Sequence, residues 1–153
     1  MPTEVIHTIG PGRDYPTLSA WATAEAKDLV AADEIAVAEC YNDAVLTDNV
    51  VLTGWTTDTE HYIKIYTPAS ERHDGVKDTG FTITPATPTK TIEIQQRHVR
   101  IEGIAFKSHS DSAFMECIHV ASQTYCDIRI SHCLFYGEPV SDPHDDEGIH
   151  IFY

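Results

Sequence analysis

The chain has 153 residues, enough for one domain with a continuous core. It carries 10 Lys and Arg against 24 Asp and Glu, a formal net charge of −14 that would repel a phosphate backbone and argues against nucleic acid as a partner. With 42% hydrophobic and 22% charged residues it has the balance of a folded globular chain, and no apolar run approaches bilayer length, so membrane insertion is not expected.

Residues 4–9 read as a first strand. Pro2 to His7 already belongs to it, so no secretion signal is expected after Met1. A Gly-rich turn, Ile9-Gly10-Pro11-Gly12-Arg13-Asp14-Tyr15-Pro16-Thr17-Leu18, leads into a helix near 17–30. Thr17 is its expected N-cap, and Leu18, Trp21, Ala22, Ala26 and Leu29 recur at helical spacing. Residues 1–33 are expected to form an N-terminal cap. From Glu34 onward short strands alternate with turn-rich breaks at 54–60, 68–75, 85–88, 107–116 and 137–148.

The strands repeat. An apolar triplet with a small, polar or charged middle residue returns five times: Ile35-Ala36-Val37, Ile63-Lys64-Ile65, Ile92-Glu93-Ile94, Ile118-His119-Val120 and Ile149-His150-Ile151. Steps of 28, 29, 26 and 31 between first residues suggest stacked units, none of which buries its apolar side alone. A second recurrence lays Val99–Phe106 over Ile128–Phe135 at an offset of 29, with Arg on Arg, Phe on Phe and Ile104 on Cys133. A fainter copy places Gly54, after Val50-Val51-Leu52-Thr53, where Gly103 stands. Irregular turns of about 25 to 31 residues with like stacked on like resemble the right-handed parallel β-helix of the pectin-lyase-like superfamily. The opening turn and helix resemble that family's usual start. The resemblance implies an all-β solenoid of four to five turns over 34–153, capped at its N-terminus by a strand and helix, without a C-terminal cap. It says little about activity, because the fold hosts lyases, hydrolases, tailspikes, adhesins and inert segments.

Several residue groups invite chemistry. Within Asp142-Pro143-His144-Asp145-Asp146-Glu147-Gly148, the carboxylates of Asp145, Asp146 and Glu147 have the hard oxygens that calcium takes, although solvated turns have the same composition. The resemblance adds that the family's lyases often use calcium to hold acidic sugar. The middle residues Lys64, Glu93, His119 and His150 are expected to form one outward stripe, ordinarily an exposed polar face. Arg100 and Arg129 form a second ladder that could clamp a carboxylated sugar unless Asp127 and Glu102 neutralise it. Trp55, at a turn, is the candidate exposed aromatic contact for a pyranose face, with packing against the cap or a loop as the more common outcome, whereas Trp21 is expected in the core. None of Cys40, Cys117, Cys126 and Cys133 forms a C-x-x-C pair, so zinc is not expected, and the four are read as buried free thiols.

No nucleophile elbow, phosphate loop or zinc signature is present. The repeat is interrupted at its fifth copy, which leaves two expectations: that the natural chain continues past Tyr153, or that Ile149, Ile151, Phe152 and Tyr153 form an assembly interface for other protein subunits, copies of this chain end to end among them. The favoured reading is a non-enzymatic structural or attachment component at a virion or extracellular surface, of decoration, tailspike, fibre or filament type. The alternatives are the N-terminal part of a polysaccharide lyase or glycoside hydrolase, and a carbohydrate-binding module.

Overall fold

A computed structural model describes residues 1–108, 115–121, 125–137 and 147–151, with Glu147 described by its backbone. The chain is a parallel β-solenoid of about four turns. Strand β1 (Thr3–Ile9) and the helices α1 (Leu18–Glu25) and α2 (Leu29–Ala32) precede it. The first coil is β2 (Glu34–Cys40), β3 (Leu46–Thr47) and β4 (Val50–Leu52), and the second is β5 (Ile63–Tyr66), β6 (Thr82–Thr84) and β7 (Lys90–Ile94). The third coil is β8 (His98–Glu102), β9 (Ala105–Ser108) and β10 (Glu116–Val120), followed by β11 (Asp127–Ser131), β12 (Leu134–Gly137) and β13 (Glu147–Ile151). Like strands stack into three sheets, β1-β2-β5-β8-β11, β3-β6-β9-β12 and β4-β7-β10-β13, with every pairing parallel.

The core runs up the axis as columns of β-branched and aromatic side chains. Ile63, Ile65, Ile83, Ile92, Ile94, Val99 and Phe106 are all fully buried. Their alternation with polar neighbours is what a strand with one buried face requires. The ring of Phe106 stacks on that of Phe135 in the next coil, 5.1 Å between centroids and 7° from parallel. Alternating burial in β5 and β8 leaves Lys64, Tyr66 and Arg100 on the outer face.

The five triplets do not form one column. The first two lie on the first sheet, whereas those of Ile92, Ile118 and Ile149 lie on the third. The first is also out of phase, since Ala36 and Ala38, not Ile35 and Val37, stand in register with Ile63 and Ile65. Slipping one residue swaps the two faces of a strand. Ala36, Ala38 and Cys40 therefore join the axial core, and Ile35 and Val37 are buried on the opposite face. The true first-sheet step from Ile63 to Val99 is 36 residues, because the connection between β5 and β6 lengthens the second coil. The offset of 29 between the third and fourth coils matches the register of Arg100 with Arg129 and Phe106 with Phe135.

The connection from β5 to β6 is fastened to the coil by Arg72, which donates to the Thr67 carbonyl at 3.1 and 3.2 Å and to Glu102 Oε1 at 3.0 Å. Its guanidinium lies against Gly103, where a Cβ would come within 2.4 Å of Arg72 Nε and where φ is +76°. Glycine meets both demands at this corner. One coil later the same corner is made by His132 in the left-handed region, φ +53°. Gly54 belongs elsewhere, to the corner that follows β4 on the third sheet.

The expected helix over 17–30 is two helices. Thr17 Oγ1 accepts from the Ala20 amide at 3.1 Å, and Asp28 Oδ1 accepts from the Ala31 amide at 2.9 Å, so each has its own cap. Between them the chain is drawn out to meet the coil: the Leu29 amide donates to Thr56 O and the Thr56 amide to Lys27 O. Leu18, Trp21 and Leu29 are fully buried beneath the first coil, and Trp21 meets Trp55 at 5.7 Å between ring centroids. The cap helix thus closes this end of the core, while β1 lengthens the first sheet by one strand paired with β2 over seven residues.

His61 ties the end of α2 to the strap before β5. Its Nε2 lies 3.1 Å from Asp33 and its Nδ1 2.8 Å from Asp58. The bonds to Asp33 and then Asp58 hold the imidazole above its ordinary pKa. Backbone amides of His61 and Glu60, with the imidazole, hold Asp58 below the usual carboxylate range. A raised histidine stabilises the fold fully below its unfolded pKa of about 6.5 and loses that contribution as pH climbs through its folded value. Between about pH 6 and pH 9, the urea midpoint should therefore fall further in the wild type than in His61→Gln. Equal losses in the two proteins would show that the cluster carries none of the dependence.

Candidate functional site

Two places on the coil gather the residues singled out above: the outer face of the first sheet and the open end of the fourth coil. On the first sheet the parallel register aligns Val37, Lys64, Arg100 and Arg129. Lys64 thus belongs to the arginine ladder and not to the histidine stripe. With Tyr62, Glu102 and Ser131 these side chains line a shallow hollow of about 280 Å³. Arg100 is largely buried, its guanidinium 4.9 Å from the Tyr62 ring centroid and donating to Asp127 Oδ2 at 2.7 Å. Arg129 is 69% exposed and forks onto the same carboxylate through two bonds of 3.1 Å.

The arginines, Arg129 first, hold Asp127 well below the usual carboxylate range. Lys64 Nζ lies 3.4 Å from Glu4 and 4.8 Å from the Tyr66 ring centroid. Each cation is thus already matched by an acid, as expected for Asp127. Glu102 faces Arg72 and His132 instead of the ladder. Stacked cations of this kind are a surface for carboxylates only to the extent that a ligand displaces Asp127.

Trp55 is 6% exposed and packs on Trp21, so its indole presents no face to a sugar. Packing against the cap, the alternative to an exposed contact, is what the structure shows, because the cap helix covers that turn. Cys40 and Cys117 are buried, Cys133 is partly buried, and Cys126 is exposed, contrary to the expectation of four buried thiols. Burial pushes the Cys40 thiol up from its ordinary pKa.

The fourth coil differs from the others in burial. Ile63, Ile92, Val99 and Ile118 are fully buried, yet their counterparts Ile128 and Ile130 are partly open, and Ile149 and Ile151 are 43% and 48% exposed. Together with Val120 and Cys126 they surround an apolar recess of about 190 Å³. Phe152 and Tyr153, named with them as an interface, lie outside the described residues, as do Asp145 and Asp146 of the expected calcium cluster. Glu147 is placed by its backbone, in register with Glu116.

On the third sheet the expected stripe survives in part. Glu93, His119 and His150 stand in register, with Val51 below Glu93. His119 is 8% exposed, so this part of the stripe is covered and is not a solvated face. Glu116, overlooked in the sequence, sets its carboxylate between the two histidines: Oε2 is 2.5 Å from His119 Nδ1 and Oε1 2.8 Å from His150 Nδ1. The signal for it was a repeated tetrapeptide, Glu116-Cys117-Ile118-His119 and Glu147-Gly148-Ile149-His150.

No family model, curated protein or solved structure matches this chain. The parallel β-solenoid stands on the geometry. No helix among the described residues is long and apolar enough to cross a membrane.

Proposed function

We propose that the chain is a non-enzymatic scaffold segment of an extracellular or virion assembly, working by presenting its last coil to a further layer of β-structure. The observation that carries this is the contrast between the two ends: α1 seals the first coil, while Ile149 and Ile151 stand half open around an apolar recess. A fifth coil would bury that recess as each earlier coil is buried by its neighbour. The complementary surface is another three-stranded coil, and a second copy of this chain supplies one, its strands running antiparallel to those they face.

Because α1 and β1 occupy the other end, copies meet open end to open end. Such contact is two-fold and closed, a dimer and not the filament that two open ends would build. Sedimentation equilibrium should find a concentration-dependent dimer for the wild type and a monomer for the double variant Ile149→Lys/Ile151→Lys, with unchanged far-ultraviolet circular dichroism. A wild type that remains monomeric at high micromolar concentration would falsify this reading.

A second reading, recognition of uronate polymers, is favoured by one feature. Lys64, Arg100 and Arg129 with Tyr62 line a hollow on the first sheet, where a sugar carboxylate would compete with Asp127 for the exposed Arg129.

A further inference from the structure

We propose that Glu116, His119 and His150 bind one divalent ion of the zinc class, and that this ion fastens the fourth coil to the third. Two donors come from β10 and one from β13, so a shared ion bridges neighbouring coils where the solenoid is most exposed. The ligand atoms of the three side chains all lie within 4.8 Å of one another. Their chemistry is specific. Two imidazole nitrogens and one carboxylate oxygen suit zinc and its first-row neighbours, whereas calcium takes six to eight oxygens.

The strand register places the two histidines side by side. His119 and His150 stand in register on adjacent parallel strands, about 4.8 Å apart along the axis. Their rings are 5.4 Å apart at the centroids and inclined at 73°, an edge-on arrangement that lets both point nitrogens toward one carboxylate. The side chains of Glu116 and His119 are 9% and 10% exposed, and that of His150 is 30% exposed. Two donors are therefore held away from water and the third faces the entry path.

The Glu116 oxygens now sit 2.5 and 2.8 Å from the two Nδ1 atoms. Donors on a tetrahedral ion with bonds near 2.05 Å stand about 3.3 Å apart, so the contact made by whichever Glu116 oxygen ligates has to open by roughly 0.5–0.8 Å. Side-chain rotation supplies that without moving a strand. The ion replaces the protons now shared between Glu116 and the imidazoles, and a three-donor set of this kind is completed by water or another side chain.

Glu93 stands one coil below His119, where Lys90 and Gln95 bond its two carboxylate oxygens. It is thereby held as a carboxylate, below its ordinary pKa through the Gln95 bond first, one coil from the site.

The test titrates the metal-free chain with Zn²⁺ by calorimetry and with Co²⁺ by visible absorption, and follows hydrogen exchange in β13. The expected result is one ion per chain, Co²⁺ bands of low-symmetry nitrogen–oxygen ligation, and slower exchange at 147–151. His150→Ala, on the partly open coil and so tolerant of truncation, should weaken Zn²⁺ binding by at least about a hundredfold. Glu116→Gln should weaken it comparably, and His73→Ala should change nothing. Absence of binding overturns the proposal. So does Zn²⁺ binding that His150→Ala leaves intact, or protection of β13 that calcium provides as well as zinc.

Discussion

Trp21→Ala should be among the most damaging single changes in the chain, lowering stability by about 3–5 kcal/mol. The indole is fully buried between α1 and the first coil and rests on Trp55, itself almost fully buried. Removing it opens a cavity at the end of the core that α1 seals. The neighbours are strands held in ladders and a helix capped by Thr17, so the site cannot collapse to fill the gap. Urea denaturation followed by tryptophan fluorescence, with Trp55 as the remaining reporter, measures the loss. A loss under about 1 kcal/mol would mean that the cap is not integral to the core.

Phe106→Ala should cost a similar amount, about 3–5 kcal/mol, by a different route. Phe106 is fully buried in the third coil, over Ile83 and under Phe135. Truncation removes its own burial and the parallel stacking with Phe135. Stability in a stacked array is a sum of unit and interface terms, so damage here also weakens the hold on the fourth coil. Hydrogen exchange should accelerate at β11 and β12 more than at β2, and uniform acceleration would argue that the coils unfold as one cooperative block. Phe135→Ala should cost less, because that ring is only partly buried.

Much of the architecture was legible because strand alternation is a local property. Each triplet reads as a strand wherever it falls in the coil, and the 29-residue copy from Val99 to Phe106 gave the register of the last two coils directly. The phase of the first two coils was not legible. The connection between β5 and β6 stretched the second coil, and a chance near-equality of spacings joined strands of different sheets into one apparent series. That error put Lys64 beside Glu93 instead of Arg100.

The candidate residues divide along the same line. The Arg100–Arg129 ladder and its neutralisation by Asp127 depend on residues close in sequence or one period apart, so they could be read. Burial of Trp55 could be anticipated only as one of two outcomes, because it depends on where α1 crosses the coil. Glu116 escaped for a similar reason: its partners include His150, 34 residues away, and only the register of β10 with β13 brings them together.

The sealed end has a consequence for synthesis. β1, α1 and α2 precede the coils in the chain and leave the ribosome before them, and they are the parts that close the base of the stack, so the foundation exists before any later coil is made. Each new strand then finds its ladder partner only 23 to 42 residues behind it, already in place. Growth of this kind runs as a ratchet, one rung at a time, with each finished rung the template for the next. At every stage the growing edge is confined to the newest layer, so the nascent chain offers a wrong partner only one coil's worth of new β-edge at a time.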